Sequence, residues 1–274
     1  MANILKVACV QMTSGPDIQD NLEKAACFVR EAVAKGASFV TTPENTCHIR
    51  FPSELKLESV KSQEQHVGVP FFASLARELG ITLLIGSMAI KTDKEKLINR
   101  SFLFSGDGSI AAIYDKIHLF DVALANGETY CESDIMEPGN RAVTSVIDKE
   151  FTAGLSICYD LRFAYLYRSL AQNGANIMCI PSAFTVPTGQ AHWEVLLRAR
   201  AIETGSYVLA SGQVGDHEGG RKTYGHSMII DPWGHVIAQI DDDEGVILAD
   251  LDIEAVNKAR SSIPALKHDR DYTT

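Results

Sequence analysis

Strand-length apolar runs alternate with helix-period segments along nearly the whole chain. Residues 6–12 read as a first strand. Residues 21–35 follow, with Leu22, Ala25, Ala26, Val29 and Val33 at helical spacing, a cap at Asp20 or Asn21, and a stop at Gly36. Residues 38–42 form the next strand and run into Pro43-Glu44. A helix over 71–79 closes on Gly80 and leads into 81–88, an apolar run of the kind buried on both faces. The same unit returns twice, as helix 163–173 with strand 175–182, and helix 191–203 with strand 207–214. Strands of this type need cover on both sides, so the pattern demands a layered α/β architecture.

Two strand–turn–strand units echo each other, residues 101–112 and 227–238, with a glycine at the same offset. Each follows a helix–strand stretch. The chain therefore reads as two similar halves, with two facing sheets and helices outside. No Pro/Ser-rich linker divides them, so residues 1–274 are expected to form a single domain. At 274 residues the chain can bury a full core without disulfides or metal. Its net charge of −10 argues against nucleic acid or an anionic membrane as a partner. No apolar stretch approaches the roughly 20 residues of a membrane span, and the first residues lack a signal-peptide pattern. The six cysteines contain no C-x-x-C pair. A cytoplasmic location with reduced thiols is expected. Cys9, Cys27 and Cys179 read as core, and Cys47 and Cys131 lie near loops.

Several motifs are better explained by structure than by function. Gly106–Ala111 fits G-x-G-x-x-A, but a β-branched strand follows it, which makes it a hairpin turn rather than a phosphate cradle. The eight histidines show no H-x-x-x-H spacing, so no metal site is expected. Gly154-Leu155-Ser156 lacks the last glycine of a nucleophile elbow. Asn99-Arg100-Ser101 fits a glycosylation acceptor, which has no meaning in the cytosol.

Three apolar strands share one unusual feature: each ends in a charged or reactive residue. These are Glu44, Lys116 and Cys158, the last followed by Asp160 and Arg162. Strand ends are where layered α/β folds place ligands. A thiol needs a base to become a strong nucleophile. A carboxylate can take its proton, while a lysine ammonium offsets the repulsion between two anions and can hold an oxyanion. Glu, Lys and Cys together suffice for acyl transfer without histidine, metal or organic cofactor.

The segments VACVQM, TTPEN, YDKIHLFD and GLSICYDLRF, followed by PSAFTVPTGQAHWEVLLRARAIE and YGHSMIIDPWG, resemble the nitrilase superfamily of carbon–nitrogen hydrolases over nearly the whole chain. The resemblance implies an α-β-β-α sandwich, with Glu44 as general base, Lys116 as third triad member and Cys158 as nucleophile. It implies a second active-site glutamate after the lysine, with Glu128 and Glu132 as candidates and Glu132 preferred. It also implies pairing through helices into a homodimer or higher homo-oligomer, with the tail 264–274 reaching a partner or fraying.

The implied reaction is hydrolysis of a small carboxylated α-keto amide to acid and ammonia through a cysteine thioester. Lys116 and the backbone N–H of Tyr159 would hold the oxyanion, and Arg162 would grip a substrate carboxylate. Phe184, Thr185, Thr188 and His192 are expected to line the substrate pocket. Within the superfamily the chain is most similar to the deaminated glutathione amidase branch. The omega-amidase branch typically has Asn at the position of Thr185 and Thr at that of Pro187. A nitrilase, or a catalytically silent interaction protein on the same fold, remains the alternative.

Overall fold

The computed structural model describes residues 4–51, 53–123, 127 and 129–273. The first half runs β1 (Ile4–Gln11), α1 (Ile18–Ala34), β2 (Phe39–Thr41), α2 (Ser53–Ser59), α3 (Gly68–Leu79), β3 (Thr82–Lys91), β4 (Leu97–Phe104) and β5 (Ile110–Asp115). A small hairpin follows, β6 (Asp121–Ala123) with β7 (Thr129–Cys131). The second half runs β8 (Val143–Val146), β9 (Thr152–Leu155), α4 (Ala164–Gln172), β10 (Ile177–Cys179), α5 (Val186–Thr204) and β11 (Tyr207–Ala210). After it come a short ladder of β12 (Val214–Asp216) and β13 (Lys222–Tyr224), then β14 (Met228–Ile230), β15 (Val236–Gln239), β16 (Gly245–Asp252) and α6 (Ile253–Ser262).

The strands form two six-stranded sheets, ordered β16-β1-β2-β3-β4-β5 and β8-β9-β10-β11-β14-β15. Their directions match position by position. β1-β2-β3 and β9-β10-β11 are parallel, and the flanking strands are antiparallel in both sheets. The echo between 101–112 and 227–238 is thus the hairpin β4–β5 repeated as β14–β15.

Alternation along the strands builds the layers. Val7, Cys9, Phe39 and Leu84 share one core with Leu155, Ile177 and Leu209 of the other sheet. Ala8, Val10, Val40, Leu83 and Ile85 point the other way, against Leu22, Ala25 and Val29 of α1 and Phe72 and Leu75 of α3. Leu166 and Leu170 of α4 and Trp193 and Leu197 of α5 cover the second sheet. The result is a four-layer α-β-β-α sandwich. The halves are pinned where their parallel strands end. Thr41 Oγ1 lies 2.6 Å from Ser211 Oγ, and a Cβ on Gly86 would fall 2.1 Å from the Thr42 carbonyl and 2.5 Å from Pro181 Cβ. Only glycine allows the backbones to approach that closely.

Some boundaries differ from expectation. α1 is capped by Asp17, whose side chain accepts from the Asp20 N–H. Asn21 instead staples the preceding loop, bonding Gly15 and the Cys47 carbonyl. Cys27, expected in the core, is exposed on the outer side of α1. α5 begins at Val186 rather than 191, since Pro187 suits a first helical turn. Residues beyond α6 fold back on α4 of the same chain, where Arg168 and Gln172 bond Ala265, Leu266 and Asp269.

Candidate active site

Glu44 stands just beyond β2, on the loop Thr42-Pro43-Glu44, and is 3% exposed. The matching loop after β10 is Ile180-Pro181-Ser182-Ala183. The two loops meet: the Ala183 N–H donates to Glu44 Oε2 at 2.9 Å. Lys116 follows β5 directly and is 2% exposed. Its Nζ donates to Glu44 Oε1 at 3.1 Å and to Glu132 Oε2 at 2.8 Å. Glu132 sits in the turn after β7 and also accepts from the Phe120 N–H at 2.7 Å. Glu132 is therefore the second glutamate at the lysine, while Glu128 lies outside the described residues.

Cys158 is not the last residue of a strand. β9 ends at Leu155, and Cys158 opens a turn of 3₁₀ helix with φ 49°. Left-handed backbone at a non-glycine residue costs about 1–3 kcal/mol and clusters at functional sites. Three features hold it here. The Cys158 N–H donates to the Pro181 carbonyl at 2.9 Å. Asp160, fully buried, accepts from the Ile157 N–H at 2.8 Å and the Tyr114 hydroxyl at 2.7 Å. Its other oxygen meets the backbone N–H and the ring of His118. Tyr114, Lys116 and His118 lie on one segment, so Asp160 ties the lysine strand to the cysteine turn. That excludes Asp160 as a partner for Arg162.

The electrostatics follow from burial against pairing. Burial alone would raise the Glu44 pKa, but the Lys116 ammonium, the Cys158 hydrogen bond and Arg221 outweigh it and hold the carboxyl below its ordinary value. Burial and then the Glu44 charge push the Cys158 thiol well up, with Lys116 opposing. Burial would lower the Lys116 pKa, but Glu132, Glu44 and Cys158 raise it. At neutral pH the resting set is a carboxylate, an ammonium and a protonated thiol that line one cavity.

These residues open onto a cavity of ≈ 410 Å³, which Tyr159, Arg162, Phe184, Thr185 and Thr188 also line. Arg162 stands over the Phe184 and Tyr159 rings at 5.7 and 5.8 Å, with no carboxylate partner among the described residues. Thr185 and Thr188 share a hydrogen bond of 2.8 Å. His192 is a correction. It is exposed on α5, outside the cavity lining, and its Nδ1 lies 3.3 Å from the Arg162 guanidinium. The helix starts early enough to turn this side chain away from the pocket. Ser156 is buried, its hydroxyl bonded to Tyr167 and the Cys179 carbonyl.

Asn99 is the residue that sequence reasoning missed. It is 1% exposed on β4, its carbonyl accepts from the Lys116 N–H at 2.9 Å, and its Nδ2 donates to Glu44 at 2.9 Å. A polar amide inside an apolar strand was the available signal. Burial also removes it as a glycosylation site.

A family model for carbon-nitrogen hydrolases matches residues 6–261. The chain belongs to the carbon-nitrogen hydrolase family. It is 40% identical over 269 residues to a deaminated glutathione amidase of Mus musculus, covering 96% of this chain and 83% of that protein. It is 34% identical over 269 residues to an omega-amidase of Pongo abelii, covering 97% and 94%. The structure of Nit3 from Saccharomyces cerevisiae, a member of branch 10 of the nitrilase superfamily, superposes with a TM-score of 0.87 at 31% identity, covering 97% and 96%. The fold of this hydrolase is thus that of the nitrilase superfamily.

Proposed function

We propose that this hydrolase is an amidase for small carboxylated α-keto amides, with deaminated glutathione as the favoured substrate and α-ketoglutaramate as the alternative. One observation carries the chemistry: a buried carboxylate, already paired with an ammonium, lines the same cavity as the thiol of a cysteine held in left-handed backbone. Glu44 takes the Cys158 proton as sulfur bonds to the amide carbon. Lys116 and the Tyr159 N–H stabilise the oxyanion. The C–N bond then breaks, and Glu44 returns its proton to the leaving nitrogen, which leaves a thioester on Cys158. Glu44 next removes a proton from water, hydroxide attacks the thioester, and the returned proton regenerates the thiol as the acid departs. Glu132 keeps Lys116 charged and aimed. No cofactor or metal enters these steps.

Arg162, which has no carboxylate partner among the described residues, suits a substrate carboxylate. Thr185 and Pro187, together with the higher identity to deaminated glutathione amidases, support that branch. Glutathione has only secondary amide linkages, so this substrate releases an amine rather than ammonia. The test is to incubate the purified protein with deaminated glutathione, α-ketoglutaramate, glutamine and an aliphatic nitrile, and to follow acid, amine and ammonia. Turnover of the α-keto amides alone is expected. Turnover of the nitrile, or of nothing, sinks the reading.

Pairing into a homodimer through α4 and α5 is part of the same proposal. Tyr165, Val195 and Ile202 expose apolar side chains on these outer helices, at 66%, 69% and 55%. Sedimentation should give a mass of twice 29.9 kDa or a multiple of it. A reducing, cytoplasmic setting fits the exposed free thiols of Cys27 and Cys131. Among the described residues, no helix is long and apolar enough to cross a membrane.

A further inference from the structure

The cavity holds more positive charge than the chemistry uses. Arg50, Lys56, Lys116, Arg162 and Arg221 line it, against the carboxylates Glu44 and Glu132, in a chain of net charge −10. Lys116 is matched by those two glutamates, and Arg162 is assigned to the acyl side. Three cations remain.

Arg221 is the best placed of these. Its guanidinium lies 5.2 Å from the Phe51 ring and 5.4 Å from the Tyr130 ring, and Nη2 donates to the Ala183 carbonyl at 3.0 Å. Its Nε is buried with no hydrogen-bond partner among the described residues. Lys56 is 9% exposed, and its Nζ donates to a neutral acceptor, Asn45 Oδ1, at 2.7 Å. Burial lowers its pKa to about 8, although Glu132 and Glu44 oppose this. Neither residue has an ion-pair partner among the described residues. Arg50 Nε is also buried, has no hydrogen bond among the described residues and lies 3.9 Å from Glu218 Oε2, so its charge is only partly offset. A buried donor without an acceptor is costly unless a ligand completes it.

The two arginines are also kept apart. Arg162 packs on Tyr159, Tyr159 on Phe120 at 5.2 Å, Phe120 on Tyr130 at 5.2 Å, and Tyr130 on Arg221. They cap the two ends of one series of ring contacts. Ala183, whose carbonyl Arg221 grips, donates its own N–H to Glu44 Oε2, so Arg221 stands beside the base that protonates the leaving nitrogen.

Resting on the amidase reading above, we propose that Arg221, Lys56 and Arg50 form a second anion subsite, which takes a carboxylate carried by the amine half of the substrate. The favoured substrate class is then an amide with a carboxylate on each side of the scissile bond. An amide that releases ammonia leaves this subsite unfilled.

The test compares deaminated glutathione with its C-terminal carboxamide and with α-ketoglutaramate, in the wild type, Arg221→Gln, Arg221→Lys and Lys56→Met. In the wild type, kcat/KM for the free carboxylate should exceed that for the carboxamide by about 10- to 100-fold, the worth of one charge-assisted hydrogen bond. That ratio should collapse toward one in Arg221→Gln, fall in Lys56→Met, and be partly restored in Arg221→Lys. The ratio cancels any general damage to Glu44. A wild type indifferent to the carboxamide change, or an Arg221→Gln variant that keeps the wild-type ratio, overturns the subsite while leaving the amidase intact. A wild type that hydrolyses none of the α-keto amides overturns the amidase reading, and the subsite with it.

Discussion

Cys158→Ala should lose at least about 10⁴-fold in turnover, while its thermal midpoint stays close to the wild type. The two halves of that expectation have separate causes. Only a sulfur at this position can form the thioester, and the other five cysteines are too differently placed to substitute. Cys9, Cys47 and Cys179 are buried, with thiols that burial pushes up. Cys131 lines the cavity mouth, but its thiol donates to Asp134 at 3.1 Å. Stability should hold because the turn depends on backbone and Asp160 contacts rather than on sulfur, and alanine bears the same Cβ at φ 49° as cysteine does. Cys179→Ala should keep wild-type turnover. Steady-state assays with deaminated glutathione, paired with mass mapping of iodoacetamide adducts, read both points. Mapping is needed because the exposed Cys27 and Cys131 will also alkylate. Wild-type rates from Cys158→Ala would remove Cys158 as nucleophile.

What the sequence disclosed depended on distance along the chain. Periodicity placed the sheet strands, and the echo of β4–β5 in β14–β15 announced two matched sheets, because both signals are local. Glu44, Lys116 and Cys158 were legible because each interrupts an apolar run where a strand must stop. Cys27 lies outside the core because Leu22, Ala25, Ala26 and Val29 define the buried stripe of α1 and Cys27 falls off it. α5 starts at Val186, five residues before the expected 191, and His192 lies exposed on it rather than in the pocket. Asn99 carries two competing local signals, an amide inside β4 and neighbours that spell a modification motif, and only the fold decides between them. Arg221 and Lys56 had no local signal at all. They come from the loop before β13 and from α2, and only the closed fold brings them to one cavity.

Glu44→Gln should cost both activity and stability, and their pH dependence separates the causes. Oε1 accepts from Lys116 and Asn99, and Oε2 accepts from the Ala183 N–H. An amide offers one oxygen. Either its NH₂ faces the Lys116 and Asn99 donors or it faces the Ala183 donor, so at least one buried donor is left facing another. Breaking a buried ion pair costs about 3–5 kcal/mol, and the lower end applies here because Lys116 keeps Glu132. Loss of the base should reduce turnover by about 10³-fold or more. The sign with pH follows from the lowered Glu44 pKa. A depressed carboxyl contributes stability above its unfolded-state pKa and loses it as pH falls through the folded-state value. The stability gap between wild type and variant should therefore be full at neutral pH and shrink only at pH below the ordinary carboxylate range. Wild-type kcat/KM should likewise persist through that range before falling, since the proton-accepting form survives there. Thermal unfolding at a series of pH values, with turnover measured alongside, tests both. A variant as active as the wild type would end the assignment of Glu44 as base. A gap that widened toward acid would show that the carboxyl is held protonated rather than ionised in the folded protein.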